Sequence, residues 1–180
     1  MWLKFTTLFA IFATISLSGG YKITPNVIDG VPGFVNVTQS LPPFIKIGSN
    51  LYIIESNGDN WYAAFESCKQ KDADLVAFES LEELKLVSQY LIDNKMAAQH
   101  WTSGTDWAKQ DKHVWFSNGQ PVASDLWLKG EPNNEFKAEH CDELRIKPGV
   151  GVGLNDKNCS FNLGYICKAP HPKTASFIVW

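Results

Sequence analysis

A basic surface is the first thing this sequence lacks. Lysine and arginine total 16 against 19 acidic residues, a formal net charge of −3, which leaves no electrostatic footprint for nucleic acid. There is no Cys-x-x-Cys pair, so a zinc site built from the cysteines and His140 has no framework. Gly-x-Ser-x-Gly, His-Glu-x-x-His, Walker and Gly-x-Gly-x-x-Gly patterns are all absent, and with them the common signatures of hydrolases and nucleotide binders. No collagen repeat or heptad run is found, which argues against a preassembled stalk of several copies and leaves the oligomeric state unspecified. Long apolar runs are scarce too. The single one, Phe5 to Leu17, is shorter than the ~20 residues a membrane-spanning helix needs, and no basic stop-transfer cluster follows it.

What is present fits an exported chain with one domain. Lys4, the apolar run, and Ser16, Ser18, Gly19 and Gly20 together read as a secretory signal peptide over residues 1–20, rather than a retained anchor. A secreted, extracellular protein without a membrane span after signal removal is expected. Such a chain matures where disulfides persist, so Cys68, Cys141, Cys159 and Cys167 are read as two bridges, with all three connectivities open. At 180 residues and 44% hydrophobic content the chain can bury one core.

Residues 21–49 carry Pro25, Pro32, Pro42 and Pro43 with Gly30 and Gly33, and read as an extended N-terminal segment. Asn36-Val37-Thr38 within it is a glycosylation sequon. Asn158-Cys159-Ser160 has the same pattern, but its central residue is read as a half-cystine and the site is set aside. The domain is placed at residues 50–169, with a tail over 170–180.

Leu51 to Ile54 predicts a strand and Asn57-Gly58-Asp59 a turn. Asn60 then caps a helix whose Trp61, Ala64, Phe65 and Cys68 share one face. Leu75 to Phe78 predicts a second strand. Ser80 and Glu83 form a capping box for a second helix striped by Leu81, Leu84, Val87 and Leu91, with Glu82, Glu83 and Lys85 as its solvated face. Beyond Asn94 the pattern is of short strands and turns: Trp101 to Gly104, Val114 to Phe116, a turn at Asn118-Gly119, then Leu126 to Leu128, an alternation over Glu143 to Ile146, and Gly164 to Lys168. Helices followed by strands indicate an α+β fold.

The chemistry is concentrated in two loops. Gly130 to Cys141 holds Glu131, Asn133 and Glu139 around Pro132, and Leu154 to Cys159 holds Asn155 and Asp156. Three carboxylates and two carboxamides all offer hard oxygen ligands, a set that suits calcium. Glu131 and Glu139 as a glycosidase acid and base is the weaker reading, because acids claimed by a metal are poor candidates for that role. No catalysis is expected.

These motifs resemble the carbohydrate-recognition domain of the C-type lectins, in its short secreted four-cysteine form, over Leu51 to Cys167. The residues that carry the resemblance are Glu131-Pro132-Asn133, Glu139 eight positions on, Cys141 two beyond that, Asn155-Asp156 just before Cys159, and Cys167 eight later. Thr102 to Trp107 and Trp115 to Val122 are similar to arthropod members. The resemblance implies two helices with small antiparallel sheets and long calcium-binding loops, and bridges from Cys68 to Cys167 and from Cys141 to Cys159. It implies a cis Pro132 and one Ca2+ held by Glu131, Asn133, Glu139, Asn155 and Asp156. The same five side chains would meet two vicinal sugar hydroxyls, carboxylates accepting and amides donating.

Glu-Pro-Asn is the family's mannose-type order, where galactose-type members read Gln-Pro-Asp. The implied function is calcium-dependent binding of mannose-type hexoses with vicinal equatorial hydroxyls, on glycans or glycoproteins of microbial or host cell surfaces, in innate immunity or agglutination. Galactose binding, or a protein-binding domain with a purely structural calcium, are the alternatives. Three departures from the family pattern stand out. Leu154 replaces a tryptophan, and Trp101-Thr102-Ser103-Gly104 replaces Trp-Ile-Gly-Leu. At the accessory calcium site Asp106 fits, but Gln110, Asn134 and His140 sit where acids are expected, so one functional calcium is implied.

Overall fold

The computed structural model describes residues 44–170 together with two short strands upstream, β1 (Val27–Ile28) and β2 (Val31–Pro32), which pair antiparallel. The expected signal peptide, Asn36 and residues 171–180 lie outside the described residues. Among the described residues no helix is long and apolar enough to cross a membrane.

The domain's sheet begins earlier than residue 50. β3 (Ile45–Ile47), part of the expected extended segment, forms a hairpin with β4 (Asn50–Asp59). Gly48 turns it at a positive φ of 60°, which a Cβ would disfavour. β4 runs straight through the turn expected at Asn57-Gly58-Asp59. A Cβ on Gly58 would lie 3.2 Å from the Asn162 backbone, so this glycine permits close approach of two chain segments rather than a reversal.

Both helices start where their caps predict. Asn60 Oδ1 accepts from Ala63 N at 3.0 Å to open α1 (Trp61–Gln70), which buries Trp61, Ala64 and Cys68. After β5 (Asp74–Leu75), Ser80 Oγ accepts from Glu83 N at 3.2 Å to open α2 (Leu81–Asp93). Glu83 is not on a solvated face. Its side chain is 10% exposed, it accepts from Glu79 N, Asn50 Nδ2 and the Tyr52 hydroxyl, and Lys168 Nζ lies 2.8 Å away. The capping glutamate thus also joins α2 to the β3–β4 hairpin.

The remaining strands are β6 (Gln99–Thr105), β7 (Val114–Trp115), β8 (Cys141–Lys147), β9 (Gly151–Lys157) and β10 (Leu163–Lys168). The sheet order is β3-β4-β10-β6-β8-β9, with β5 added to β10 and β7 to β6. Among the described pairings of these strands only β10–β6 is parallel. Leu126 to Leu128, expected as a strand, is instead a short 3-10 turn (Ser124–Leu126) followed by one parallel bridge from Trp127 to Leu154. Gly153 lets this segment lie against β9, since a Cβ there would stand 2.9 Å from Leu128 N.

One core cluster packs Leu84, Val87 and Leu91 of α2 against Trp115, Leu126, Leu144, Leu154 and Ile166. Leu154, in place of the family's tryptophan, is fully buried there. The second cluster gathers Trp61, Ala64, Leu75, Trp101 and Tyr165 around all four cysteines. Cys68 bonds Cys167 and Cys141 bonds Cys159, the pairing that the resemblance implies. The first bridge fastens α1 to β10; the second fastens the start of β8 to the chain just beyond β9.

Candidate functional site

The site forms where the segment from Glu131 to Glu139 meets the end of β9. Asn155 and Asp156 lie on β9 itself, not on a loop, opposite Glu143 and Asp142 of β8. Pairing with β8 therefore sets their positions. The Glu131–Pro132 peptide is cis, and Glu131 N donates to Leu128 O at 3.0 Å. Buried Asp156 then accepts from Asn133 N at 2.9 Å and Asn134 N at 2.6 Å. These charge-assisted bonds fasten the loop to the strand.

Past Asn133 the chain turns tightly. Asn134, Phe136 and Lys137 all have positive φ, near 45°, 57° and 57°, a region that L residues other than glycine seldom occupy. The turn is closed by Glu135 N donating to Glu139 Oε2 at 3.0 Å and by Glu139 N donating to Asn134 Oδ1 at 3.2 Å. Phe136, at its tip, is 89% exposed.

The electrostatics suit a cation. Burial first, then the negative charges of Asp156 and Glu139, pushes the Glu131 carboxyl above the usual carboxylate range. The Glu139 carboxyl is raised by burial, against the lowering effect of its bond from Glu135 N, with Asp156 adding to the rise. Glu131 Oε2 is buried and, among the described residues, has no hydrogen-bond partner. Oxygen-rich, mutually repelling and partly unsatisfied, the group fits a hard divalent ion. Among the described residues no three His, Cys, Asp or Glu side chains are close enough to hold a metal by themselves.

Asp106, the residue suggested for an accessory calcium, is otherwise engaged. It is buried, its Oδ1 lies 2.8 Å from His140 Nδ1, and its Oδ2 accepts from Asp111 N at 2.8 Å and lies 3.8 Å from His113 Nε2. His113 Nδ1 is 2.8 Å from Asp142 Oδ1. Burial lowers the His113 pKa, but the bond and charge of Asp142 and the charge of Asp106 outweigh it and leave it raised. Asn134 is committed to the Glu139 turn, and Gln110 is exposed. Imidazoles thus stand beside Asp106.

Sequence reasoning missed several residues that support the site. Glu143 is fully buried, and burial holds its carboxyl up to about 7 despite Gln99, Lys157, Arg145 and Asn155. Asp142 beside it is pushed up to about 6, again by burial. Its room comes from Gly104, where a Cβ would stand 2.1 Å from Asp142 Oδ2. The only signal was two adjacent acids in a strand otherwise read as alternating. Trp107, 60% exposed, lies against the His140 ring with centroids 4.9 Å apart.

The fold is that of C-type lectins. The crystal structure of the C-type lectin CEL-I from Cucumaria echinata superposes with a TM-score of 0.64 at 23% identity, covering 74% of this chain and 99% of that one. C-type lectin 37Da of Drosophila melanogaster is 37% identical over 180 residues, 96% of each chain. Salivary C-type lectin 2 of Aedes albopictus is 27% identical over 66% of this chain and 83% of its own. A family model for the lectin C-type domain matches residues 57–169. The chain belongs to the C-type lectin domain family, whose members are in general carbohydrate-binding proteins, and it is not an enzyme.

Proposed function

We propose that this protein is a secreted lectin that binds mannose-type hexoses through one calcium ion held by Glu131, Asn133, Glu139, Asn155 and Asp156. The observation that carries the reading is the clamp of Asp156 on the backbone N–H groups of Asn133 and Asn134, which joins the loop to the end of β9. The ion supplies charge and open coordination for two vicinal hydroxyls. Carboxylate oxygens of Glu131 and Glu139 accept from those hydroxyls, and an amide hydrogen is needed to donate back. The carboxamides of Asn133 and Asn155 provide that donor. The commitment of Asp106 to His140 and His113 supports a single ion rather than two.

Export through a signal peptide over residues 1–20 and glycosylation at Asn36 complete the reading, supported by two disulfides and by a relative whose name places it in saliva. Glycans on microbial or host cell surfaces are its targets, in innate immune recognition or agglutination. One shallow site binds weakly, and clustered glycans provide avidity.

The test exchanges donor and acceptor while the ligand count and charge stay the same. In Glu131→Gln with Asn133→Asp, inhibition constants at saturating calcium should shift from mannose toward galactose. An unchanged preference would mean that these two residues do not read hydroxyl orientation.

A further inference from the structure

We infer that Lys157 tunes the sugar site toward acidic sugars: its ammonium, held over the Phe161 ring at the rim of the site, receives a sulfate or carboxylate carried by a hexose whose vicinal hydroxyls meet the calcium. The inference rests on the calcium and sugar reading above and deepens it by naming the class of sugar.

Lys157 ends β9, next to Asp156, and pairs with Cys141 of β8. Its carbonyl accepts from His140 N at 3.2 Å, which sets it beside the segment that carries Glu139. Its Nζ lies 4.8 Å from the centroid of the Phe161 ring. That ring is held by a closed turn: Phe161 N donates to Asn158 O at 3.2 Å, Ser160 N donates to Asn158 Oδ1 at 3.0 Å, and Cys159 between them is bonded to Cys141. Phe161 is 53% exposed, so ring and ammonium meet at the surface rather than in the core.

A lysine with a purely structural role meets a carboxylate, as Lys69, Lys71 and Lys168 do. Among the described residues the Lys157 ammonium has neither an ion pair nor a hydrogen bond. The contact with the ring restrains the side chain but satisfies none of its three N–H donors, which stay available to an outside acceptor. Its charge also reaches the site: burial raises the Glu139 carboxyl, and Lys157 is among the groups that pull it back down. Glu131, Glu139 and Asp156 around one divalent ion leave one negative charge, which by itself would repel an acidic sugar. Lys157 cancels it, and in the same loop Lys137 offsets Glu135, both exposed. With calcium bound the rim is therefore open to an anion, and sulfate or carboxylate oxygens accept charge-assisted bonds from the waiting ammonium.

The experiment measures inhibition constants at saturating calcium, on the mature disulfide-bonded protein, for methyl mannoside and three acidic relatives that leave its vicinal equatorial hydroxyls free: the 2-sulfate, the 6-sulfate and the uronic acid. In wild type at low salt at least one acidic probe should inhibit about threefold to tenfold better than methyl mannoside, and the three probes separate sulfate from carboxylate. High salt should shrink that ratio. In Lys157→Gln the ratio should fall to about one or below, whereas Lys157→Arg, which keeps a cation able to lie over the ring, should retain it. Wild type that binds methyl mannoside but none of the acidic probes better overturns the inference, as does a preference that survives in Lys157→Gln. The wild-type ratio can refute it alone, whether or not a variant folds. Wild type inhibited by none of the four probes would overturn the sugar reading itself, an outcome distinct from mannoside binding without an acidic preference.

Discussion

His100 should make the folded domain acid-sensitive even without calcium. It lies on β6 between Leu144 of β8 and Gly164 of β10, fully buried, and among the described residues neither ring nitrogen has a hydrogen-bond partner. Burial lowers its pKa from 6.5 to about 4. With the folded value depressed, the unfolded chain binds the proton more readily. The stability His100 contributes is therefore fully present above pH 6.5 and is lost as pH falls toward about 4. At about 1.36 kcal/mol per pH unit, the complete loss is about 3.4 kcal/mol, and about 2 kcal/mol of it has gone by pH 5. Guanidinium unfolding in EDTA at pH 7.5 and pH 5.0 measures it, with His100→Leu as the variant that cannot titrate. Wild type should lose about 2 kcal/mol more than His100→Leu between the two pH values. The raised carboxyls of Asp142 and Glu143 favour folding as pH falls, and they cancel in the comparison. Equal losses in the two proteins would refute the assignment of His100 as a buried neutral ring.

Two further outcomes follow from the site and the bridges. Because Glu131 and Glu139 have raised carboxyl pKa values, chiefly from burial, protons compete with calcium at milder pH than for ordinary carboxylates. Calorimetry should show calcium affinity falling steadily from pH 7 to pH 5, and a flat profile would contradict their role as ligands. Replacing Cys68 and Cys167 with serine opens a sequence separation of 99 and should cost about 4.7 kcal/mol, whereas Cys141 and Cys159 are separated by 18 and should cost about 3 kcal/mol. Thermal melts order the two, and only the second pair should also weaken calcium, since it fastens β8 beside the ligands on β9.

Both helices were legible because their signals are local: Asn60 and Ser80 cap them, and Trp61, Ala64 and Cys68, or Leu84, Val87 and Leu91, repeat at helical spacing. The strand errors arise where a residue answers to a distant partner. Gly58 makes room for Asn162, and Leu126 to Leu128 is held by β9 rather than by its own strand pattern. Glu83 looked like one more helix-surface charge until the β3–β4 hairpin brought Tyr52 and Asn50 to it. At the site the oxygen-bearing residue types could be picked out because their spacing is distinctive. Their supports, Gln99, His113, Asp142 and Glu143, depend on the β6–β8–β9 register, which no short stretch of sequence displays.

The measurement that bears most directly on the whole reading is a glycan array probed with the secreted protein, first in calcium and then in EDTA. The account predicts binding to mannose-type glycans in calcium and its disappearance on chelation. Glycan binding that persists in EDTA would contradict it.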